Sequence, residues 1–346
     1  MLQNSGINWW TKYRKNKLAV AGAAYIGLCF LIAVLGYLIL PDDSHSSNAM
    51  HLEMQLKTPG YTATVVQLDS AENHPNILSR WLNGKSDPGD LFLFSSSGDS
   101  ATANILMAEE RFGSNWHDHT KTRTFFLGSD VFGRDVFSRL LLGTRISLSV
   151  GLISVLISLF LGITLGMVAG YFRGWVDNAV MWLINVIWSL PTLLLVIAIT
   201  FALGKGFWQI FVAVGITMWV ELARIVRGQV FSLREREYVQ AARMLGFSHV
   251  RILFRHILPN LTGPIVVIAA ANFASAILLE AGLSFLGLGV QPPFPSWGQM
   301  LNENYSYIAF DAVHLALAPG IAIMLLVMSF NFVGNGLRDA LDVRMK

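Results

Sequence analysis

The chain has 346 residues, of which 53% are hydrophobic and only 14% are charged. A soluble domain carries roughly a quarter charged residues, so this deficit points to a protein that spans a membrane. The formal net charge is only +3 and the basic residues form no long run, which argues against nucleic acid as a partner. Cys29 is the single cysteine, so the chain can form no intramolecular disulfide.

Six apolar stretches are candidates for helices that cross a bilayer. A hydrocarbon core of about 30 Å requires about 20 apolar residues in a helix. The shortest stretch, Gly206–Val220, is the fourth in chain order and reaches this length if Glu221 and Leu222 continue the helix. The first is longer than the core of a signal peptide, so we expect it to remain as an anchor. The other five stretches are Leu18–Pro41, Ile146–Phe172, Asn178–Gly204, His256–Leu279 and Ala312–Leu337.

The distribution of lysine and arginine predicts the orientation of these helices. Basic residues precede the first span, separate the second from the third and the fourth from the fifth, and follow the sixth. The short loops on the other side carry only Lys205. Because basic loops stay in the cytoplasm, we expect both termini, residues 1–17 and 338–346, to be cytoplasmic and residues 18–41 to form the first span.

A polar segment, residues 42–125, interrupts the apolar pattern after the first span. Alternating residues at Thr62–Leu68 and Leu91–Phe94 predict short strands. We therefore expect a small extracytoplasmic insertion of mixed α/β structure. The following residues include Arg134 and Arg139, which are too polar for hydrocarbon, so we expect a short interfacial helix before the second span.

No motif predicts catalysis, a cofactor or a metal in this chain. His117–His119 has no third ligand nearby and is more typical of a solvated loop. Gly84–Ser86 resembles the end of a phosphate-binding loop, but Ser79 stands where that loop requires its first glycine. The spans contain no nucleophile elbow, zinc-protease motif or paired catalytic carboxylates, which disfavours a membrane enzyme.

The loop between the fourth and fifth spans, residues 224–259, has the pattern of two short helices. Glu235–Leu245 has acidic residues in its first turn, and Gly246 follows where a left-handed C-terminal cap is needed. Ser248 is placed to cap the second helix, which Pro259 is expected to close.

The first of these helices is expected to be amphipathic. Tyr238, Ala242 and Leu245 recur at the spacing of one apolar face. The adjacent Ala241 has a small side chain, which lets another protein approach that face closely. Such an elbow suits the docking of a cytoplasmic partner. The alternative is an amphipathic loop that lies on the membrane surface.

The loop resembles the EAA loop of ABC importer permeases, in which Glu-Ala-Ala is followed by glycine and later by Leu-Pro. Gln240 replaces the glutamate and His256 takes the place of an isoleucine, so the match depends on Ala241, Ala242, Gly246, Leu258 and Pro259. Further motifs resemble the second, or C-type, subunit of the dipeptide/oligopeptide/nickel permeases. These motifs are Leu127–Asp130, Gly133–Val136, Ala223–Gly228, Arg255–Asn260, Leu283–Gly289, Ser296–Gly298 and Gly336–Asp342.

The resemblance implies an all-α polytopic protein with six transmembrane helices of the type I ABC importer permease fold, and residues 126–337 as its core. It implies a pore-forming subunit of a di- or oligopeptide importer in the bacterial inner membrane. The implied partners are a sister permease in a heterodimer, two ATPases that bind ATP and magnesium, and an extracytoplasmic binding protein. The short helix around Gly246–Leu253 would be the coupling helix. The implied coupling residues are Tyr238, Gln240, Ala241, Ala242, Arg243, Gly246, Phe247, His249, Arg251 and Pro259.

Several polar residues are candidates for the translocation path. Asn185, Trp188 and Ser189 precede Pro191, which is expected to bend the third span, and they either line the path or pack helices together. Glu280 either contacts cargo or bonds to neighbouring helices.

Trp297 and Pro295 lie in a proline-rich outer loop that either touches the binding protein or shapes the external gate.

The alternative function is an ion-coupled secondary transporter, which would place several carboxylates inside its spans. Glu280 is the main acidic residue near a span interior, since Glu221 is expected close to the end of its span, where it is able to pair with Arg224 one turn away.

Overall fold

The computed structural model describes residues 6–42, 44–66, 81, 84, 91–93, 120–204 and 206–341, and the described chain is mostly helical. It divides into two compact units. The first contains Met1–Leu28, Ser147–Gly289 and Ile323–Lys346, and the second contains Cys29–Ile146 and Val290–Ala322. The helices are α1 (Gly6–Lys15), α2 (Lys17–Leu35), α3 (Val136–Phe172), α4 (Gly174–Trp188), α5 (Thr192–Leu203), α6 (Phe207–Arg234), α7 (Glu237–Met244), α8 (His249–Ile252), α9 (Leu258–Phe285), α10 (Trp297–Asn304) and α11 (His314–Leu341).

The predicted apolar helices are confirmed. In the described residues five helical stretches are long and apolar enough to cross a membrane. These stretches are Lys17–Leu38, Val136–Phe172, Trp208–Arg234, His249–Phe285 and His314–Leu341. A sixth is obtained if α4 and α5 form one span, and these two helices are bent by 94°.

Pro191 explains this bend, as predicted. Proline donates no backbone hydrogen bond and disfavours a helical conformation at the residue before it, here Leu190. α4 accordingly ends at Trp188 and α5 resumes at Thr192.

The prediction that Pro259 closes the second helix of the loop is wrong. α8 passes through a π-helical turn, Leu253–Ile257, directly into α9, where Pro259 occupies the first turn. Proline is compatible with that position because the π-helical turn just before it already interrupts the regular hydrogen-bond pattern of the α-helix. The fifth span therefore starts in the loop itself, at His249.

Glycines on α3 bring it close to α6 within the first unit. A Cβ atom at Gly162 would come within 2.8 Å of Leu222, and one at Gly170 would come equally close to Val230. Gly166, midway between them, faces Val226 in the same way. Small residues at a spacing of four let the backbones of membrane helices approach each other.

The second unit contains a three-stranded antiparallel sheet of β1 (Tyr61–Val66), β2 (Leu91–Leu93) and β3 (Thr120–Phe125), in the order β2-β1-β3. Thr64 pairs with Leu93 on one side and with Thr122 on the other. The first two strands confirm the predicted runs, although residues 67, 68 and 94 lie outside the described residues, as do His117–His119.

The prediction of a separate interfacial helix before the second span is wrong, because α3 runs without a break from Val136. The arginines that suggested it are buried among opposite charges. Arg134 Nε lies 2.6 Å from Asp130 and its Nη2 lies 2.5 Å from Glu303. Arg139 Nη2 lies 3.2 Å from the same Glu303 oxygen. The charges are thus compensated within the second unit rather than at a water interface.

Candidate functional site

Residues 235–258, which we call the elbow, contain α7, the sharp turn after it and α8. The turn is a Schellman motif, in which Phe247 N–H donates to the Ala242 carbonyl at 3.1 Å and Gly246 N–H donates to that of Arg243 at 2.9 Å. Gly246 has a φ of +75°, as its predicted cap requires. Ser248 Oγ accepts from the Arg251 N–H at 3.4 Å and so caps α8 as predicted.

The buried side of the elbow differs from the predicted apolar face. Val239 and Ala242 are buried against Ile252 and Ile257 in one core cluster. Tyr238 and Leu245, in contrast, are 43% and 73% exposed. α7 has only eight residues, so Leu245 already lies beyond its last turn and no longer follows the helical period.

Tyr171, at the end of α3, is the central contact of the elbow. Its hydroxyl lies 2.9 Å from Nδ1 of His249, and its carbonyl accepts from Arg234 Nη1 at 2.6 Å. The guanidinium carbons of Arg243 and Arg234 lie 4.8 Å and 5.7 Å from the centre of its ring. The side chain is only 2% exposed. The sequence analysis missed Tyr171, because nothing in an isolated tyrosine at a helix end indicates such contacts.

Two ion pairs tie the turn between α3 and α4 to the end of α6. Arg173 Nη2 lies 2.6 Å from Glu235, a pair that is partly exposed and hence weak. Arg227 binds Asp177 through both Nε and Nη2, the latter at 2.6 Å. A bidentate ion pair of this kind fixes the relative orientation of the two side chains as well as their distance. These pairs connect α4 to α6 and the turn after α3 to the first residue of the elbow.

The side of the elbow that faces away from its buried core exposes apolar side chains. Met244 and Leu245 are 88% and 73% exposed, and Val250 and Phe254 are 66% and 58% exposed. We call these four residues the exposed apolar face. An open groove adjoins it, lined by Ser248, Val250, Arg251, Phe254, Arg255 and Pro259. Several strongly exposed apolar residues within eleven consecutive positions are typical of a contact surface.

The remaining predicted coupling residues lie around this face. Gln240 and Ala241 are exposed, and the Gln240 side chain donates to the Glu235 carbonyl at 3.2 Å. Phe247 stacks on His256, with ring centres 5.9 Å apart, and Arg251 lies over Phe247 at 5.2 Å. The elbow therefore combines a rigid base with an uncovered surface.

The predicted path residues do not form one site. Asn185, Trp188 and Ser189 are exposed at the break between α4 and α5, and Trp188 lines a cavity of about 190 Å³. Glu280 is fully buried, accepting from Ser284 Oγ at 2.7 Å and from Ser147 Oγ at 3.4 Å. This placement favours the alternative in which Glu280 bonds to neighbouring helices.

Trp297 and Pro295 belong to the second unit and are both buried. The Trp297 side chain is 2% exposed, its Nε1 donates to the Leu140 carbonyl at 2.9 Å, and its ring packs against Gly143. The ring thus packs inside the second unit, and its role in gating stays a prediction.

Comparison with known proteins gives two family matches. Residues 162–346 match the model described as "Binding-protein-dependent transport system inner membrane component", and residues 7–59 match "N-terminal TM domain of oligopeptide transport permease C". The chain is 44% identical over 239 residues to the glutathione transport system permease protein GsiD of Pectobacterium atrosepticum, covering 69% of this chain and 79% of that protein.

A second relative is the dipeptide transport system permease protein DppC of Alkalihalophilus pseudofirmus, 44% identical over 221 residues, covering 64% of this chain and 72% of that protein. Among solved structures, an inward-facing MetNI methionine ABC transporter matches 59% of this chain and 97% of that chain, with 19% identity and a TM-score of 0.48. The family match extends over more than half of the sequence, from the middle of α3 through the elbow and α11. The chain therefore belongs to the binding-protein-dependent inner membrane components of ABC importers, the permease family that its motifs predicted.

Proposed function

We propose that this permease forms one side of the pore of a peptide importer and that its elbow receives the movement of a partner ATPase. Its partners would be a sister permease in a heterodimer, two ATPases that bind ATP and magnesium, and an extracytoplasmic binding protein. The family match supports this assembly, and the names of the relatives, a glutathione permease and a dipeptide permease, support short peptides as cargo.

The single observation that carries the coupling role is the exposed apolar face on a braced elbow. Leu245 and Val250 would lose this much exposed apolar area only by contact with another protein or with lipid. The contacts of Tyr171 and the Arg227–Asp177 pair favour a protein, because they allow a push on α8 to reach α3, α4 and α6 together. Closure of the ATPases around nucleotide would then rock these helices between inward-open and outward-open states.

The orientation follows from the charges. The elbow and its approach contain the densest group of arginines in the chain, which supports a cytoplasmic location for it and for both termini. In this orientation residues 42–125 face the outside, where the binding protein docks.

Docking is tested by adding a charge to the exposed apolar face. We expect Leu245→Asp and Val250→Asp to insert normally in the membrane but to lose most of the ATPase when the complex is purified through the permease. Ser232→Asp adds the same charge to an exposed position of α6 outside the elbow and serves as the matched control. Normal ATPase yield with both elbow variants would contradict the proposal.

Orientation is tested separately by labelling. In a Cys29→Ser background, Ser248→Cys places a thiol at an exposed position of the elbow. We expect an impermeant maleimide to label it in inverted vesicles but not in intact cells. Labelling from outside intact cells would overturn the cytoplasmic assignment of the elbow.

A further inference from the structure

The cavity beside Trp188 has a polar lining. It encloses about 190 Å³ in the first unit and lies where the broken pair α4–α5 meets α6 and α9. Thr217 and Glu221 of α6 line it together with Asn272 and Ser275 of α9. This volume suits one amino-acid residue of a peptide rather than a large ligand.

Contacts with α3 show how deep this cavity lies. Leu222, the neighbour of Glu221, packs against Gly162. Gly162 precedes the end of α3 at Phe172 by ten residues, which is about 15 Å along the helix axis. The hydrocarbon core is about 30 Å thick, so Glu221 lies near the middle of the bilayer. Asn272 supports this depth, since its Nδ2 donates to Ser158 Oγ of α3 at 3.3 Å and it lies near the middle of α9.

Glu221 has no basic side chain in direct contact with it in the described part of the chain. Arg224, which the sequence suggested as its partner, instead lies over the Trp188 ring, 4.7 Å from its centre. Among the described residues Glu221 forms no ion pair. A carboxylate inside a membrane protein faces water or a positively charged partner, and such residues mark transport pathways.

The broken helix adds hydrogen-bond donors at the same place. Thr192, the first residue of α5, also lines the cavity, and α5 has no side-chain cap at its start. The first N–H groups of a helix have no partner within it, so they are available to carbonyl oxygens. Transporters bind their cargo at such breaks near the midplane.

We propose that this cavity is a cargo subsite in which Glu221 receives a positively charged group, namely the terminal ammonium of a peptide during its passage. The assignment rests on the proposed function, because it takes peptides as the cargo. Glu221 is the binding residue for the ammonium group, and Thr217, Asn272 and Ser275 supply neutral polar contacts for the peptide bond.

The charge preference of the cavity is testable without cargo. Ser275→Cys in a Cys29→Ser background places a thiol in the lining, and the assembled transporter is treated with a cationic and an anionic methanethiosulfonate reagent. We expect the cationic reagent to react faster, and Glu221→Gln to lower the cationic-to-anionic rate ratio by about thirtyfold, because a charge about 4 Å away in water favours the cation and disfavours the anion by about 1 kcal/mol each. Glu221→Asp should keep the preference.

Thr262→Cys, an exposed position of α9 outside the cavity, is the matched control, and its ratio should not respond to Glu221→Gln. An unreactive thiol at position 275, or a ratio there that Glu221→Gln leaves unchanged, overturns the subsite.

Uptake of a labelled dipeptide by proteoliposomes that contain the whole transporter, the binding protein and ATP tests the role in transport. We expect Glu221→Gln to reduce uptake about tenfold while ATP hydrolysis continues, and Glu221→Asp to retain it. Full uptake by Glu221→Gln would overturn the subsite and leave the proposed function standing. Absence of peptide uptake by the unaltered transporter would overturn peptide cargo, and with it the ammonium as the ligand.

Discussion

The hydroxyl of Tyr171 lies 2.9 Å from Nδ1 of His249, and this contact joins the C-terminal end of α3 to the first turn of α8. The same tyrosine ring lies beneath Arg243 of α7 and Arg234 of α6. One buried side chain thus contacts α6, α7 and α8. A force applied to α8 therefore acts on α3 directly rather than through a flexible loop.

Tyr171→Phe separates the hydrogen bond from the packing at this position. The variant keeps the ring under both arginines but leaves Nδ1 of His249 without the hydroxyl, at a cost of about 1 kcal/mol. We expect normal assembly with the ATPases and a several-fold lower ratio of peptide imported to ATP hydrolysed. Tyr171→Ala should also weaken assembly. Tyr305→Phe, at an exposed position of the second unit, serves as the control, and equal transport ratios in all three variants would exclude Tyr171 from coupling.

Gly246 is required for its backbone conformation rather than for space. It has a φ of +75°, and no atom lies within 4 Å of where its Cβ would stand. Gly246→Ala therefore costs about 1–2 kcal/mol through backbone strain alone, whereas Gly246→Asn should cost less because asparagine tolerates this conformation. We expect the same order in ATPase yield from purified complexes. Gly228→Ala is the matched control, since Gly228 has equally open surroundings within a regular helix. A larger effect at Gly228 would contradict this account.

The elbow shows how far sequence reasoning extends and where it stops. Caps are local, so Gly246 and Ser248 were predicted correctly from their neighbours. Which side of α7 is buried was not predicted, because it depends on how α7 packs in the fold, and Val239 lies on that side together with Ala242. The helices themselves follow from apolar length, which needs no tertiary information.

Charged residues were the main source of error. Arg134 and Arg139 suggested an interfacial helix, but their partner Glu303 comes from a segment more than 160 residues later in the chain. Glu221 was discounted because Arg224 stood nearby in sequence, yet that arginine lies over Trp188. Strand β3 was missed because threonine alternates with lysine and arginine in it, so it lacks the apolar alternation that identifies a strand.

Ala241 and Ala242 are neighbours in the same motif but differ in burial, so substitutions at the two positions test ATPase docking and protein stability separately. Ala242 is 4% exposed, so Ala242→Leu must displace the buried core and should lower the stability of the permease by about 1–3 kcal/mol. Ala241 is exposed, so Ala241→Leu should leave stability unchanged while it hinders the approach of the ATPase. We expect both variants to lose ATPase in pull-down, but only Ala242→Leu to unfold at a lower temperature. Equal melting temperatures would show that Ala242 is not packed as described.

Substitutions of Trp297 test the predicted role of this residue of the second unit in gating. Trp297→Ala removes a buried ring and its hydrogen bond to Leu140, with a cost of about 3–5 kcal/mol. Trp297→Phe keeps most of the packing and loses only that bond. We expect uptake to fall strongly in the alanine variant and mildly in the phenylalanine variant, while ATPase yield per folded permease stays normal. Unaltered uptake by Trp297→Ala would count against a role in gating.

The cluster of Asp130, Arg134, Arg139 and Glu303 makes the last prediction. All four side chains are largely buried, and Glu303 Oε2 serves both arginines, at 2.5 Å and 3.2 Å. Glu303→Gln leaves two buried guanidinium groups to share Asp130. We therefore expect the free energy of unfolding to fall by about 3–5 kcal/mol, measured by thermal unfolding of the purified protein.

Removing one positive charge as well should restore the balance of this cluster. Arg139→Met fills a similar volume without charge, so the double variant Arg139→Met with Glu303→Gln should be more stable than Glu303→Gln alone. Arg139→Met by itself leaves the two carboxylates with one arginine and should destabilise the protein. If the two single losses simply added in the double variant, the cluster would not act as one charge-balanced group, and the buried arginines would need another source of compensation.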